Sequence, residues 1–309
     1  MTHYIITNCT SRKRKNGIDP LLPSFVDEFS MKDAVKLWVK GVESAPMKFA
    51  PLDLYQGRSI SECRLVSRYL SAELFVISAG LGLVSSANLI PNYSLTISEG
   101  NGSIQNWLTT QNSNSANWWT ELCLSLGTPE PISSLIRNSS SQHKVMIAVP
   151  KSYMEMIATD LEKIESNNHQ NLRIFTSIAG SKVVPNSLKS LVMPYDERLE
   201  GITQHNGTRS DFPQRALKHF VTHLLAQDLP LEEAKCLVGR SMESSHLKFS
   251  PTRLKVSDDL IEELVFKNWQ NFGGNGTKLL RFLRDEAKVA CEQSRFRGIW
   301  RKVMALQSA

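Results

Sequence analysis

Residues 74–84 read Leu74-Phe75-Val76-Ile77-Ser78-Ala79-Gly80-Leu81-Gly82-Leu83-Val84. A short apolar run without polar alternation fits a strand buried on both faces, as parallel sheets require. It passes directly into a Gly-x-Gly segment, where the backbone can approach a ligand closely. Working outward, similar strand-like runs occur at 4–7, 145–149 and 172–175. Residues 30–41, 59–71 and 151–165 carry helical spacing; in the first, Ala34, Leu37 and Trp38 share a side and Gly41 is the stop. This alternation predicts an α/β fold, a mainly parallel mixed sheet with flanking helices. Residues 98–118, rich in Asn, Ser, Gln, Gly and Trp, read as a long surface insertion.

From about residue 200 the strand signal fades and helical patterns dominate. The expected division is therefore an α/β domain at 1–198 and an all-helical, helix-turn-helix-like domain at 199–309. Asp211 and Pro213 suit a helix start before Ala216, Leu217, Phe220, Val221 and Leu224. Ser257 with Asp258 and Asp259 opens another, which Gly273-Gly274 ends. Thr277 can cap a helix carrying Leu279, Leu280, Phe282 and Leu283. Phe296, Ile299, Trp300 and Val303 give the spacing of the last.

The 309 residues include 36 Lys and Arg against 30 Asp and Glu, a net charge of +6. Most of that excess is local. Residues 271–309 hold Lys278, Arg281, Arg284, Lys288, Arg295, Arg297, Arg301 and Lys302 against Asp285, Glu286 and Glu292. A three-helix unit with a basic final helix is what a helix-turn-helix reader of DNA, or an RNA-binding unit, needs. A solvated helical face packed on the first domain has the same pattern. Arg209 and Arg215 fit either a nucleic-acid or domain interface or solvated residues around a helix cap.

Five cysteines are widely spread with no C-x-x-C pair, which argues against a zinc knuckle or a disulfide framework. The sequence opens without a secretory pattern, and no segment approaches the ~20 apolar residues of a spanning helix. The expectation is a reduced, cytoplasmic protein with no membrane partner. Walker A, H-E-x-x-H and G-x-S-x-G patterns are lacking, and no metal or cofactor is expected. His219 and His223, four apart on an amphipathic segment, read as structural.

Three segments read as loops at strand ends, where open α/β sheets place ligands. Asn8-Cys9-Thr10-Ser11-Arg12-Lys13 gathers a thiol, two hydroxyls and two cations. The cations would favour a thiolate or hold a phosphate; an inert cysteine beside a solvated turn fits as well. Leu54-Tyr55-Gln56-Gly57-Arg58 presents a phenol and backbone N–H groups at a helix entrance, or is simply a turn. The segment from Ser78 through Gly80 and Gly82 to Tyr93 and Ile97 can pass close to a planar ligand or phosphate, but it lacks the third glycine of a dinucleotide site.

The combination of Cys9 to Lys13, Leu54-Tyr55-Gln56-Gly57, Leu74 to Val84 and Ile90-Pro91-Asn92-Tyr93-Ser94-Leu95-Thr96-Ile97 resembles the YaaA-like superfamily. That group takes in the peroxide-stress protein YaaA and relatives near nucleic-acid and defence genes. The resemblance is strong over about 1–100, holds by pattern over 100–195 and does not extend to the C-terminal hundred residues. It implies DNA binding and a base-handling pocket. One branch works in 7-deazaguanine DNA-modification systems, which implies conversion of a 7-cyano-7-deazaguanine base in DNA to its amide, alongside other proteins of a modification or phage-defence system. On that reading Cys9 attacks the nitrile, with Arg12 and Lys13 favouring the attack. Tyr55 or Tyr93 orients the base or supplies a proton. Ser11, Gly57, Ser78, Gly80 and Gly82 line the substrate. A non-catalytic DNA-binding module, and a glycosylase-like hydrolase using an acid such as Asp53, are the competing readings.

Overall fold

The computed structural model describes residues 3–14, 17–45, 48–98, 100, 102–139, 143–247 and 253–307. Strand β1 (His3–Asn8) leads to helix α1 (Met31–Glu43), whose first turn is capped where Ser30 Oγ accepts the Asp33 N–H at 3.2 Å. A two-residue strand β2 (Lys48–Phe49) and short helix α2 (Pro51–Leu54) precede α3 (Arg58–Leu70) and β3 (Glu73–Ser78). The chain then turns into β4 (Gly82–Ser85) and reaches β5 (Ile90–Pro91), which pairs with β2. Helices α4 (Gln105–Thr110), α5 (Ser115–Ser125) and α6 (Pro131–Asn138) come before β6 (Lys144–Ala148). Helix α7 (Lys151–Leu161), β7 (Leu172–Phe175) and the short α8 (Ile178–Ser181) follow.

The main sheet has the order β4-β3-β1-β6-β7. Strands β3, β1, β6 and β7 run parallel, and β4 is antiparallel to β3 at one edge. The sequence expectation of a mainly parallel mixed α/β sheet is therefore met. Ile5 lies opposite both Leu74 and Met146, and Ile6 opposite Ile147. Because alternate residues face opposite sides, Ile6, Ile147 and Ile174 enter one core with α1, α5, α6 and α7, while Ile5, Leu74, Met146 and Phe175 enter another.

The second core corrects the expected domain division. Its cover includes α9 (Phe212–Lys218), the wider-wound turn His219–His223 that continues it, and α10 (Leu231–Glu243). Ala216, Leu217, Phe220, Val221, Ala234, Val238 and Met242 are completely buried there. The chain divides between Lys248 and Phe249, not near residue 198, because an apolar sheet face needs these helices as its roof.

The expected surface insertion at 98–118 is also corrected. Asn114 caps α5 by accepting the Ala116 and Asn117 N–H groups at 3.0 Å each, and Trp107, Trp118 and Trp119 are buried in the first core. The polar residues that suggested a loop serve as a cap and a turn.

The second unit contains α11 (Asp258–Lys267), α12 (Gly276–Asp285) and α13 (Gln293–Gln307). Ile261, Val265, Leu279, Leu283, Phe296, Ile299 and Val303 form its core. Ser257 caps α11 as expected. The cap of α12 is Asn275 rather than Thr277, with Asn275 Oδ1 accepting the Lys278 N–H at 3.1 Å.

Two predictions follow from the roofed sheet. A fragment ending at residue 198 leaves the Ile5, Leu74 and Met146 face open and aggregates, whereas one ending at 248 stays soluble and melts cooperatively; sedimentation and thermal melting of the two fragments check this. The second prediction concerns buried imidazoles. Burial foremost holds His205 down at about 4 and His219 down at about 3; Lys218 and His223 add repulsion for His205, and His205 and His223 for His219. An unfolded histidine titrates near ~6.5, so the unfolded chain binds more protons and stability rises with pH across this window. Acidification from neutral pH towards 4 should lower the melting temperature. His219→Gln should flatten that slope.

Candidate functional site

The three sequence segments are stitched together by backbone bonds. At the end of β1 the Cys9 N–H donates to Ile77 O of β3 at 2.8 Å. Further on, Gln56 N–H donates to Arg12 O at 2.9 Å and Arg14 N–H to Leu54 O at 2.8 Å, so Lys13 lies opposite Tyr55. Tyr93 is fixed by its neighbours, with Leu21 N–H on Asn92 O at 3.1 Å and Ser94 N–H on Leu21 O at 2.8 Å.

These bonds converge four of the expected residues. The Tyr55 and Tyr93 hydroxyls are 2.6 Å apart, and Ser78 Oγ is 2.5 Å from the Tyr93 hydroxyl. Lys13 Nζ sits 4.3 Å from the centre of the Tyr93 ring and 5.7 Å from that of Tyr55, within cation–π reach. Cys9 does not bond to either tyrosine. Its Sγ lies 3.1 Å from the hydroxyl of Tyr153, in the first turn of α7. Tyr153 was not singled out in the sequence, although a phenol just past the Pro150 that ends the third parallel run was the available signal.

The position of this thiol–phenol pair follows from the topology. The crossover after β1 leads to β3 on one side, and that after β6 leads to β7 on the other. The connections part between β1 and β6, where open α/β sheets leave a crevice at the strand ends. Cys9 follows β1 and Tyr153 follows β6, so their contact spans that point.

Burial, followed by the nearby charge of Cys9, pushes the phenols of Tyr55, Tyr93 and Tyr153 up, so all three stay protonated at neutral pH. Burial pulls Lys13 down, and the Cys9 charge opposes that shift. The site therefore holds the Cys9 sulfur, three neutral phenols and one half-buried amine. No carboxylate bonds to the four sulfur and phenol groups among the described residues. Asp53, the acid considered for a glycosylase, is exposed on α2.

Gly80 serves this cluster by what it lacks. A Cβ there would lie 2.9 Å from the Trp38 ring and 3.0 Å from that of Tyr93. The turn is held from both sides, with Trp38 Nε1–H on Gly80 O at 2.6 Å and Trp118 Nε1–H on Ala79 O at 2.7 Å. Gly82 pairs with Ser78 as the first residue of β4, so the expected ligand loop is a hairpin. Gly57 is the N-cap residue of α3 at φ +113°, a conformation open to glycine. Ser11 and Arg12 are exposed; Ser11 lines a cleft of about 430 Å³ with Lys13, Arg14, Asn92, Tyr93 and Ser94. The Arg12 side chain takes no part in the thiol–phenol network.

The expected nucleic-acid residues separate. Arg209 is exposed. Arg215 is fully buried and leaves the nucleic-acid set, because its guanidinium bonds to Asp211 Oδ1 at 2.7 Å, Glu200 Oε1 at 2.6 Å, Thr208 O at 2.7 Å and His205 O. In the second unit Arg295 is tied to Asp258 Oδ1 at 2.6 Å and to Val256 O at 2.8 Å. Lys302 pairs with Glu262 at 2.6 Å, and Arg281 with Asp285 at 3.6 Å. Lys278, Arg297 and Arg301 are exposed with no acidic partner among the described residues.

No family model, curated protein or solved structure matches this chain. Among the described residues no group of His, Cys, Asp and Glu could hold a metal ion, and no helix is long and apolar enough to cross a membrane.

Removing Arg215 strands Asp211 and Glu200 around a buried gap. Arg215→Ala should cost about 3–5 kcal/mol of stability in a denaturant titration, with no change in nucleic-acid affinity at temperatures where the variant is folded.

Proposed function

We propose that the chain is a YaaA-like enzyme that acts on a base in DNA through Cys9, hydrating the nitrile of 7-cyano-7-deazaguanine to the amide. The observation that carries this reading is the 3.1 Å contact between Cys9 Sγ and the Tyr153 hydroxyl at the ends of β1 and β6. A thiol beside a protonated phenol is a nucleophile beside a proton source. The resemblance over residues 1–100 supplies the substrate class. Such a base leaves the stack before reaction.

In this mechanism the Cys9 sulfur bonds to the nitrile carbon. One C–N π pair moves to nitrogen, which takes a proton, giving a thioimidate. Water adds to the same carbon, the C–S bond breaks, and the departing sulfur regains its proton as the amide forms. Tyr153 is the phenol placed to supply and recover that proton. Tyr55 and Tyr93, bonded to each other and to Ser78, shape the wall behind Lys13. Protein partners from the same modification or defence system belong to the same reading.

Burial of Cys9, which is 4% exposed, favours a second reading in which the α/β unit is a non-catalytic DNA-binding module. Mass spectrometry of nucleosides from DNA incubated with the protein separates the two. Gain of one water on the cyano-deazaguanine nucleoside supports hydration, loss of the base marks a glycosylase, and an unchanged base marks the module. Cys9→Ala should abolish turnover with DNA affinity intact, and Tyr153→Phe should slow it about a hundredfold. Full turnover by the Cys9 variant would end the covalent mechanism.

A further inference from the structure

The inward face of α13 is fixed by Phe296, Ile299 and Val303, which are buried against the rest of the second unit. The 3.6-residue period then sets the outward strip: Ser294, Arg297, Gly298 and Arg301 are all exposed. The neighbouring cations do not share it. Arg295 is drawn to Asp258 and Lys302 to Glu262, both acids of α11. Arg297 and Arg301 lie one turn apart and have no acidic partner among the described residues.

Gly298 is the unexpected member of this strip. It sits within a 15-residue helix, where glycine is less stable than alanine. A Cβ at this position would meet nothing within 4 Å, and its φ is not left-handed. Neither packing nor backbone conformation calls for glycine. What its bare backbone offers is room for a partner's surface between two arginines. A groove of about 590 Å³ runs alongside, lined by Thr277, Gln293, Phe296, Arg297, Trp300 and Arg301.

We propose that this strip is a duplex-DNA reading surface, with α13 seated in the major groove, Gly298 against its floor, and Arg297 and Arg301 on base edges or flanking phosphates. The proposal rests on nucleic acid as the partner of this chain and is independent of the Cys9 chemistry. Charge complementarity selects a polyanion, since the strip carries two free cations and no acid. The aromatic residues select a duplex over single strands. Single-strand binders stack bases on open rings, but no aromatic side chain lies on the outward strip. Trp300, beside it, is stacked on Trp269 at 6.1 Å and donates its indole N–H to Gly274 O at 2.9 Å.

The test uses the full chain, fluorescence anisotropy and a labelled random-sequence DNA duplex, with the matching single strands of DNA and RNA and an acidic polypeptide as competitors. The duplex should bind, and its affinity should fall steeply as salt rises from about 50 to about 200 mM. Arg297→Ala and Arg301→Ala should each weaken it about tenfold, and Lys302→Ala less than about twofold. Gly298→Ala should keep or raise the melting temperature yet weaken binding, a result that loss of fold cannot mimic. Wild-type affinity in the Arg297→Ala/Arg301→Ala double variant overturns the proposal, as does stronger competition by a single strand or the polypeptide. Cys9→Ala serves as the cross-check: lost turnover with duplex binding intact leaves this surface standing, and lost binding in the arginine variants leaves the thiol mechanism to be judged separately on excess DNA.

Discussion

Ile5 and Ile6 are neighbours in sequence, are both fully buried, and point to opposite sides of the sheet. A sheet built from such strands has no face to offer water, so helices must cover both sides. That requirement accounts for most of the first unit. It holds α1, α5, α6 and α7 on one face and brings α9 and α10 back from far along the chain to cover the other. It also sets the switch point between β1 and β6, where the connections depart in opposite directions.

Polar groups brought to those strand ends are out of water, and they satisfy one another. Ser78, Tyr55 and Tyr93 form one hydrogen-bonded chain, and Cys9 with Tyr153 forms another pair. Burial keeps the phenols protonated, which makes them donors rather than acceptors towards any charge that develops on the sulfur. Two tryptophan indoles fix the turn behind them by its carbonyl oxygens. The site is held from its back wall, not by the exposed cations that precede it.

The positive charge of the C-terminal region is likewise sorted by packing. Acids on α11, just before the basic stretch 271–309, neutralise Arg295 and Lys302. Charge in a linear window describes composition. Which cations remain available depends on which helix faces which, and here Lys278 on α12 and two arginines on one strip of α13 remain.

The four parallel strands and most of the helices were legible because apolar run length and helical period are local signals. Residues 98–118 misled because asparagine and serine serve caps and turns as readily as loops, while their tryptophans pack against partners distant in sequence. The thiol and the tyrosines of the loops could be nominated from their own segments. Tyr153 could not, because its bond to Cys9 joins residues 144 positions apart. The sequence alone determined the fold class, the strand-end location of the candidate residues and the basic character of the tail, since each is set by neighbours along the chain. Tertiary structure alone decided that the roof of the sheet extends past residue 198, that Arg215 is an internal tie, and that Tyr153 faces the thiol. Those outcomes depend on which surfaces must be buried against one another, and burial acts across space without regard to sequence separation.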